Sequence, residues 1–251
     1  MLVMGILNVT PDSFADGGKH NDFEAAIARG LEMIAEGVDI IDIGGESTRP
    51  GADRVSEEEE IARTIPVIAE LAKYGTPISI DTMRSTTAEA AIKAGASIVN
   101  DVSGGLADSE MLQTAARLQV PYIAMHWRGQ SKDMNSKAVY GDVVSDVISE
   151  LNERIEAALD AGIQKDKLII DPGLGFAKDA EHNWAIIDSI DQFVALGYPV
   201  LVGGSRKRFL GGDTPDEREE ATIQLTKRLG TTGVWAVRVH SVKPHKEVLS
   251  S

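Results

Sequence analysis

Arg238 and His240 flank a single valine, Val239, with Val237 on the other side of the arginine. Alternate residues of a β-strand project to one face, so this spacing sets a guanidinium beside an imidazole. Such a pair suits an anion, because arginine offers a planar fork of donors and histidine one more. An exposed pair of terminal charges is the plainer alternative. Asp81 and Asp171 each close an apolar run. A buried carboxylate there can hydrogen-bond an amidine-like ring edge or stabilise a developing cation. Capping of the following helix is the competing role, less so for Asp171, which Pro172 follows. Asn100 carries both a donor and an acceptor for a heterocycle, or else occupies a turn. Asn8 offers the neutral oxygen that Mg2+ accepts among its waters. Lys207 belongs to Ser205-Arg206-Lys207-Arg208, a cluster that in isolation would be a solvated surface. His126 suits either a core or a ligand position, whereas His20, His182 and His245 read as surface. No His/carboxylate spacing suggests a zinc site, and Ser205 has no base near it in sequence.

The elements that must position these groups are short apolar runs at 2–7, 38–43, 78–80, 97–99, 122–125, 168–170, 200–202 and 234–239. Runs this short and this apolar suit parallel strands buried on both faces. Amphipathic segments lie between them, such as Phe23, Ile27, Gly30/Leu31 and Ile34 on one helical stripe. Asn21 with Glu24 and Ser56 with Glu59 read as capping boxes, and Thr214-Pro215-Asp216-Glu217 as a further helix start. Strand–helix alternation on this scale predicts a single α/β domain over 1–251, a (β/α)8 TIM barrel. An open doubly wound sheet is the alternative, but no G-x-G-x-x-G follows the first strand. The last helix is expected to be short, since only 243–251 follow the eighth strand. If the sheet closes, the polar residues at all the strand carboxyl ends converge on one mouth. Those ends are Asn8, the segment 44–51, Asp81-Thr82, Asn100-Asp101, His126-Trp127-Arg128, the segment 171–176, the segment 203–208 and Arg238-Val239-His240.

With 251 residues, 43% of them hydrophobic, the chain can bury a sizeable core. It has no cysteine, which excludes disulfides and thiol nucleophiles. No stretch approaches the roughly 18 apolar residues of a membrane span, and no basic segment with an apolar signal core opens the chain. A cytoplasmic location is therefore expected. The net charge of −14 argues against nucleic acid and membrane partners, though not against a local cationic pocket for a small anion.

Taken together, several segments resemble the dihydropteroate synthase family. They are Gly5-Ile6-Leu7-Asn8-Val9-Thr10-Pro11-Asp12-Ser13-Phe14, Asp42-Ile43-Gly44-Gly45-Glu46-Ser47-Thr48-Arg49-Pro50-Gly51, Asp171-Pro172-Gly173-Leu174-Gly175-Phe176, Ser205-Arg206-Lys207 and Arg238-Val239-His240. The likeness runs from Gly5 to Val242 and implies a (β/α)8 barrel. It implies an enzyme that joins 6-hydroxymethyl-7,8-dihydropterin diphosphate to p-aminobenzoate, with early loss of pyrophosphate. It further implies that Asp81, Asn100, Asp171 and Lys207 hold the pterin, with Val102 and Met125 against its faces. Asn8 would ligate Mg2+, and Arg238 and His240 would bind the diphosphate. Thr48 and Arg49, with Phe14, Pro50 and Phe176, would build the p-aminobenzoate pocket. Asp81, Asp171, Lys207, Arg238 and His240 would carry the catalysis. The family commonly dimerises, so a homodimer is implied. Phe14, Thr48 and Pro50 match sulfonamide-sensitive relatives, which implies inhibition by sulfonamides.

Four features depart from the family pattern: Ser241 in place of Asp, Gly204 in place of a larger residue, the short connection 211–214, and Arg208 where Ser is frequent. Arg208 is accordingly a candidate partner for the aminobenzoate carboxylate. Two rival readings remain. A pterin-dependent methyltransferase of the same superfamily would have no use for Arg238-Val239-His240. A silent paralogue would have lost a ligand, and each ligand position here is filled.

Overall fold

The strands are β1 (Leu2–Asn8), β2 (Ile40–Gly44), β3 (Ile78–Asp81), β4 (Ile98–Asp101), β5 (Tyr122–Met125), β6 (Leu168–Asp171), β7 (Leu201–Val202) and β8 (Ala236–Val239). Each lies within one of the apolar runs or exceeds it by one residue, or by two in β4. The helices are α1 (Gly18–Ala35), α2 (Glu57–Leu71), α3 (Ser85–Ala94), α4 (Met111–Leu118), α5 (Val143–Asp160), α6 (Ala180–Asp188), α7 (Ile190–Val194), α8 (Glu219–Leu229) and α9 (Lys243–Ser250). The computed structural model describes residues 1–10, 18–46, 54–129 and 134–250. All strand pairs are parallel, in the order β6-β5-β4-β3-β2-β1-β8-β7. A parallel bridge between Ile170 and Val200 joins β6 to β7 and brings the two edges of the sheet together. The predicted (β/α)8 TIM barrel is what the chain forms. Among the described residues, no helix is long and apolar enough to cross a membrane.

The period of two along each strand sorts its side chains. Met4, Ile40, Ile98, Ile123, Ile169, Leu201 and Ala236 form an apolar cluster of their own inside the barrel. Their strand neighbours, such as Val3, Ile41, Val99, Ala124, Ile170, Val202 and Val237, join the larger core shared with the helices. Burying one such side chain stabilises by about 1.5–3 kcal/mol, so both layers fix the register strongly. Two residues beyond the inner cluster, the same inward face carries Asp42, Asn100, Met125, Asp171 and Arg238. An apolar plug thus supports a polar layer at the carboxyl ends.

Helix boundaries follow their caps where the cap is local. Ser56 accepts a hydrogen bond from the Glu59 backbone N–H, as expected. Thr214 accepts from Glu217 N–H at 3.3 Å, although regular helix begins only at Glu219. The box at Asn21 is not a cap, because α1 already begins at Gly18. Two histidines also depart from the surface reading. His182 takes part in a capping box with Asp179 and lies edge-on to Tyr140 at 4.9 Å. His245 is fully buried. Its Nδ1 lies 2.8 Å from Thr226 Oγ1 and its Nε2 3.5 Å from Glu219 Oε1. The short α9, eight residues as expected, lays this imidazole against α8, which sequence spacing alone does not reveal. The side chain of His20 lies outside the described residues.

Burial makes His245 a structural residue. We expect His245→Ala to lower unfolding free energy by about 2 kcal/mol, read from the urea midpoint at constant m-value, whereas a surface histidine would change it by less than about 0.5 kcal/mol.

Candidate active site

Arg238 projects from β8 into the barrel between carboxylates of β2 and β3. Its Nε donates to Asp42 Oδ2 at 2.6 Å and its Nη2 to Asp81 Oδ2 at 2.6 Å. Asn100 Nδ2 donates to the same Asp42 oxygen at 3.2 Å. The other Asp42 oxygen and the Ser79 hydroxyl, which is paired with Asp42 by strand register, have no partner among the described residues. Burial raises the Asp81 pKa to about 7; Arg238 opposes that shift and Asp42 adds to it. Burial also disfavours the Arg238 charge, but Asp42 and Asp81 outweigh it and hold the guanidinium protonated. A carboxyl poised near neutrality beside a fixed cation can respond to charge arriving on a ligand.

The β6 loop forms the opposite wall. Asp171 Oδ1 accepts the Gly173 N–H at 2.7 Å, closing a tight turn in place of a helix cap. Burial raises the pKa of this carboxyl, against the pull of that N–H and of Lys207. Gly173 has φ 69°, and a Cβ there would lie 2.5 Å from the His126 carbonyl oxygen. Gly175 has φ 77°, and its Cβ would meet Lys207 Cδ at 2.8 Å. Both glycines are therefore required by conformation and by space. Lys207 Nζ donates to the Leu174 carbonyl and lies 4.5 Å from the centre of the Phe176 ring. Burial lowers its pKa to about 8, partly offset by Asp171. Its serine and arginine neighbours are anchored in turn. Ser205 Oγ lies 2.9 Å from His240 Nδ1 and accepts the His240 backbone N–H at 3.2 Å. Assigning the Ser205 proton to this contact makes Nδ1 the acceptor and places the proton of a neutral ring on Nε2. Arg206, held at φ 57°, donates to Glu219 at 2.6 Å and to Ser241 Oγ at 2.9 Å.

The sequence candidates are thus largely brought together. Asp81, Asn100 and Arg238 share one network; Asp171 and Phe176 lie on the loop after β6, which Lys207 reaches from the loop after β7. Met125, at the end of β5, and Val102, in the turn just after β4, are buried beside them, 3% and 5% exposed. Asn8 ends β1 in register with Gly44. Arg208 opens a short 3-10 turn just after Lys207 and is exposed. Phe14, Thr48, Arg49 and Pro50 lie outside the described residues. Neither Asp81 nor Asp171 caps a helix: α3 is preceded by Arg84, and Asp108 accepts the Ser85 N–H at 2.8 Å. Of the departures, Ser241 supports Arg206, and Gly204 leaves room for Leu225, whose Cδ2 would lie 2.7 Å from an added Cβ.

Sequence reasoning missed Asp42 as a site residue, although Ile40, Asp42 and Gly44 share one strand face and that parity points it inward. It also missed Lys178, which is 8% exposed and carries no motif, and a rim clamp around Arg84. Arg84 donates to Glu46 at 2.8 Å, to Glu60 at 2.5 Å and to the Val55 carbonyl at 2.6 Å. It thereby ties together the two described ends of the β2–α2 connection.

The site contains no group of three or more His, Cys, Asp or Glu side chains that could hold a metal, among the described residues. One neutral oxygen from Asn8 fits a Mg2+ whose other ligands are substrate oxygens and water.

Residues 4–240 match the family model described as pterin binding enzyme. The chain is 46% identical to dihydropteroate synthase of Mycobacterium leprae, covering 98% of this chain and 90% of the relative. It is 48% identical to that of Bacillus subtilis, covering 96% and 84%. Among solved structures, Xanthomonas albilineans dihydropteroate synthase with 4-aminobenzoic acid superposes with a TM-score of 0.93 at 43% identity, covering 99% of this chain and 90% of that one. Yersinia pestis dihydropteroate synthase in a sulfonamide drug complex gives 0.93 at 38%, covering 99% and 92%.

The Arg238–Asp81 pair makes a prediction of its own. Arginine lowers the Asp81 pKa, so Arg238→Met should move the carboxyl midpoint upward from about 7 by about one unit or more, in a carbon-13 NMR titration. An unmoved midpoint would mean that the pair does not form in solution.

Proposed function

We propose, from the premise that the chain belongs to the dihydropteroate synthase family of pterin-binding enzymes, that the groups at its strand ends form the catalytic site for dihydropteroate synthesis. The enzyme is a transferase of folate biosynthesis. It condenses 6-hydroxymethyl-7,8-dihydropterin diphosphate with p-aminobenzoate to give 7,8-dihydropteroate and pyrophosphate. The observation that carries the residue assignment is the inward network of Arg238, Asp81, Asp42 and Asn100 facing Asp171 and Lys207 across one barrel mouth.

Each group has a physical task in this reading. Asp171, Asn100, Asp81 and Lys207 match the donors and acceptors on the pterin edge, with Val102 and Met125 on its faces. Arg238 and the Nε2–H of His240 supply donors for the diphosphate. Asn8, with diphosphate oxygens and water, would hold Mg2+, which supplies charge neutralisation for the leaving group. The C–O bond to the diphosphate breaks first, and the oxygen keeps the electron pair. The methylene left on the pterin is cationic, and the Asp81 and Asp171 carboxylates stabilise it. The aniline nitrogen then forms the C–N bond and loses a proton to solvent. An aniline is a weak nucleophile, so departure of the diphosphate before attack removes the need for a strong one. No protein nucleophile takes part.

Thr48, Arg49, Phe14 and Pro50 are assigned with Phe176 to the p-aminobenzoate pocket on their family motifs. The exposed Arg208 lies one residue from Lys207 and is assigned to the aminobenzoate carboxylate. The Arg238-Val239-His240 motif favours the synthase over a methyltransferase, which handles no diphosphate. Sulfonamide inhibition, a single domain over 1–251, a homodimer and a cytoplasmic location complete the proposal.

The decisive assay supplies both substrates and Mg2+ and follows pyrophosphate and dihydropteroate together. Equal amounts of both, abolished by chelator, are expected; pyrophosphate alone would remove the second pocket from the reading. Asp81→Asn should lower kcat by about 100-fold or more while weakening pterin binding by less than about tenfold, and equal losses would contradict its role in stabilising the cation. Arg208→Ala should raise the KM for p-aminobenzoate by about fivefold or more, and an unchanged KM would take Arg208 out of the pocket.

A further inference from the structure

Lys178 is a buried cation with no place in the mechanism above. Its Nζ lies 2.8 Å from His126 Nδ1, 3.1 Å from the Gly173 carbonyl oxygen and 3.0 Å from that of Phe176. An ammonium has three protons, and all three are used within the protein. It cannot also bind substrate in this arrangement. His126, 1% exposed, accepts at Nδ1, so its Nε2 carries the proton and donates to Glu150 Oε2 at 2.9 Å. Arg128 grips the same carboxylate through Nε and Nη2 and stacks 3.8 Å above the Tyr140 ring. The Tyr140 hydroxyl donates to the Ala177 carbonyl at 3.0 Å, which closes the circuit on the loop where it began.

That circuit holds the carbonyls on both sides of a strained link. Ala177 has φ 48°, a left-handed conformation that costs a non-glycine residue about 1 kcal/mol or more. The consequence reaches Phe176, whose ring lies under the Lys207 ammonium. Without the ammonium of Lys178, three buried acceptors lose their donor and the link loses what holds it.

We propose that Lys178 is a positioning residue of the reaction, fixing through Gly173, Phe176 and the Nε2–H tautomer of His126 the loop that presents Phe176 to p-aminobenzoate. The inference rests on the assignment of Phe176 to that pocket.

The charged and titratable groups around Lys178 are Asp171, Lys207, Arg128, Glu150 and His126. Burial lowers its pKa to about 7, Asp171 and Glu150 oppose that, and Lys207 and Arg128 add to it. Burial, with Lys178 beside it, lowers the His126 pKa to about 4, so the ring stays neutral above that. As pH rises through about 7, Lys178 loses one of its three donors, and the loop loses one restraint.

The test compares wild type, Lys178→Met, His126→Asn and Phe176→Ala in steady-state kinetics with both substrates, from about pH 6 to about pH 9. Lys178→Met is expected to raise the KM for p-aminobenzoate about tenfold, with the KM for the pterin diphosphate within about twofold. The wild-type aminobenzoate KM should rise as pH passes about 7, and that rise should vanish in Lys178→Met. His126→Asn keeps an oxygen near the Nδ1 position but cuts the link to Glu150, and should give a smaller increase. An aminobenzoate KM within about twofold of wild type in Lys178→Met, or equal increases in both KM values, would overturn the proposal. If that variant does not fold, a wild-type aminobenzoate KM that is flat across the range overturns it instead. Phe176→Ala separates the two levels of the argument. An unchanged aminobenzoate KM in that variant defeats the pocket assignment itself, whereas a raised one beside a silent Lys178→Met defeats only the role of Lys178.

Discussion

The buried guanidinium of Arg238, shared between Asp42 and Asp81, is the interaction on which the rest of the site depends. Two carboxylates this close would repel one another, and burial alone would drive protons onto them. The cation between them opposes that rise in pKa, although Asp81 still lies at about 7, and Asn100 donates to the Asp42 oxygen as well. Breaking such a pair leaves an uncompensated buried charge, so replacing any one member singly carries a cost. In the proposed mechanism, the guanidinium that would bind the departing anion also sets the protonation of the carboxyl that would face the cation left behind.

The barrel makes this arrangement possible because its strands deliver side chains in layers. Met4, Ile40, Ile98, Ile123, Ile169, Leu201 and Ala236 seal the lower interior. One strand repeat higher, the inward positions are free to be polar because the plug beneath them already supplies the packing. The outward positions pack on the helices and hold each strand in register. A slip of one residue in β2 would exchange Asp42 for Ile41 or Ile43 and bury a carboxylate among helices. Register and chemistry are thus specified by the same alternation.

That is why so much of the fold and part of the site were legible in the sequence. Each strand announced itself as an apolar run, and most runs ended at a polar residue, although those of β2 and β7 ended at glycines. Arg238 and His240 were readable from spacing, as were Asp81, Asn100 and Asp171 from position. What spacing could not supply were contacts between distant segments. Arg238 meets Asp42 across 196 positions, and Lys178 meets His126 across 52. His245 read as surface because its helix is short and charged, yet the packing of that helix on α8, where it meets Thr226 and Glu219, decides its burial. Asn21 failed as a cap for a related reason: local propensity named a helix start, and the chain began the helix earlier. Lys178 had no motif at all, since its role lies in three acceptors that only the folded loop assembles.

The polar layer is held at the expense of stability, and its supports show where that expense was met. A layer of isoleucines at Asp42, Asp81, Asp171 and Arg238 would avoid the desolvation of four charged groups, and buried ion pairs often stabilise less than apolar residues of similar volume. The chain instead surrounds its polar groups with fixed partners: the Gly173 N–H donates to Asp171, the Ser205 hydroxyl holds His240, and the Leu174 carbonyl accepts from Lys207. These partners do not touch the reacting atoms in the mechanism above, but they restrict each charged group to one position before substrate arrives. Preorganised dipoles need not reorient when charge separates, whereas water would. In a protein of net charge −14, the cations Arg238 and Lys207 lie inside the mouth, where their neighbours are Asp42, Asp81 and Asp171 rather than the acidic surface. The site is therefore best regarded as a region where packing was exchanged for fixed charge, with the plug below and the loop circuit beside it supplying the rigidity that the charges themselves do not.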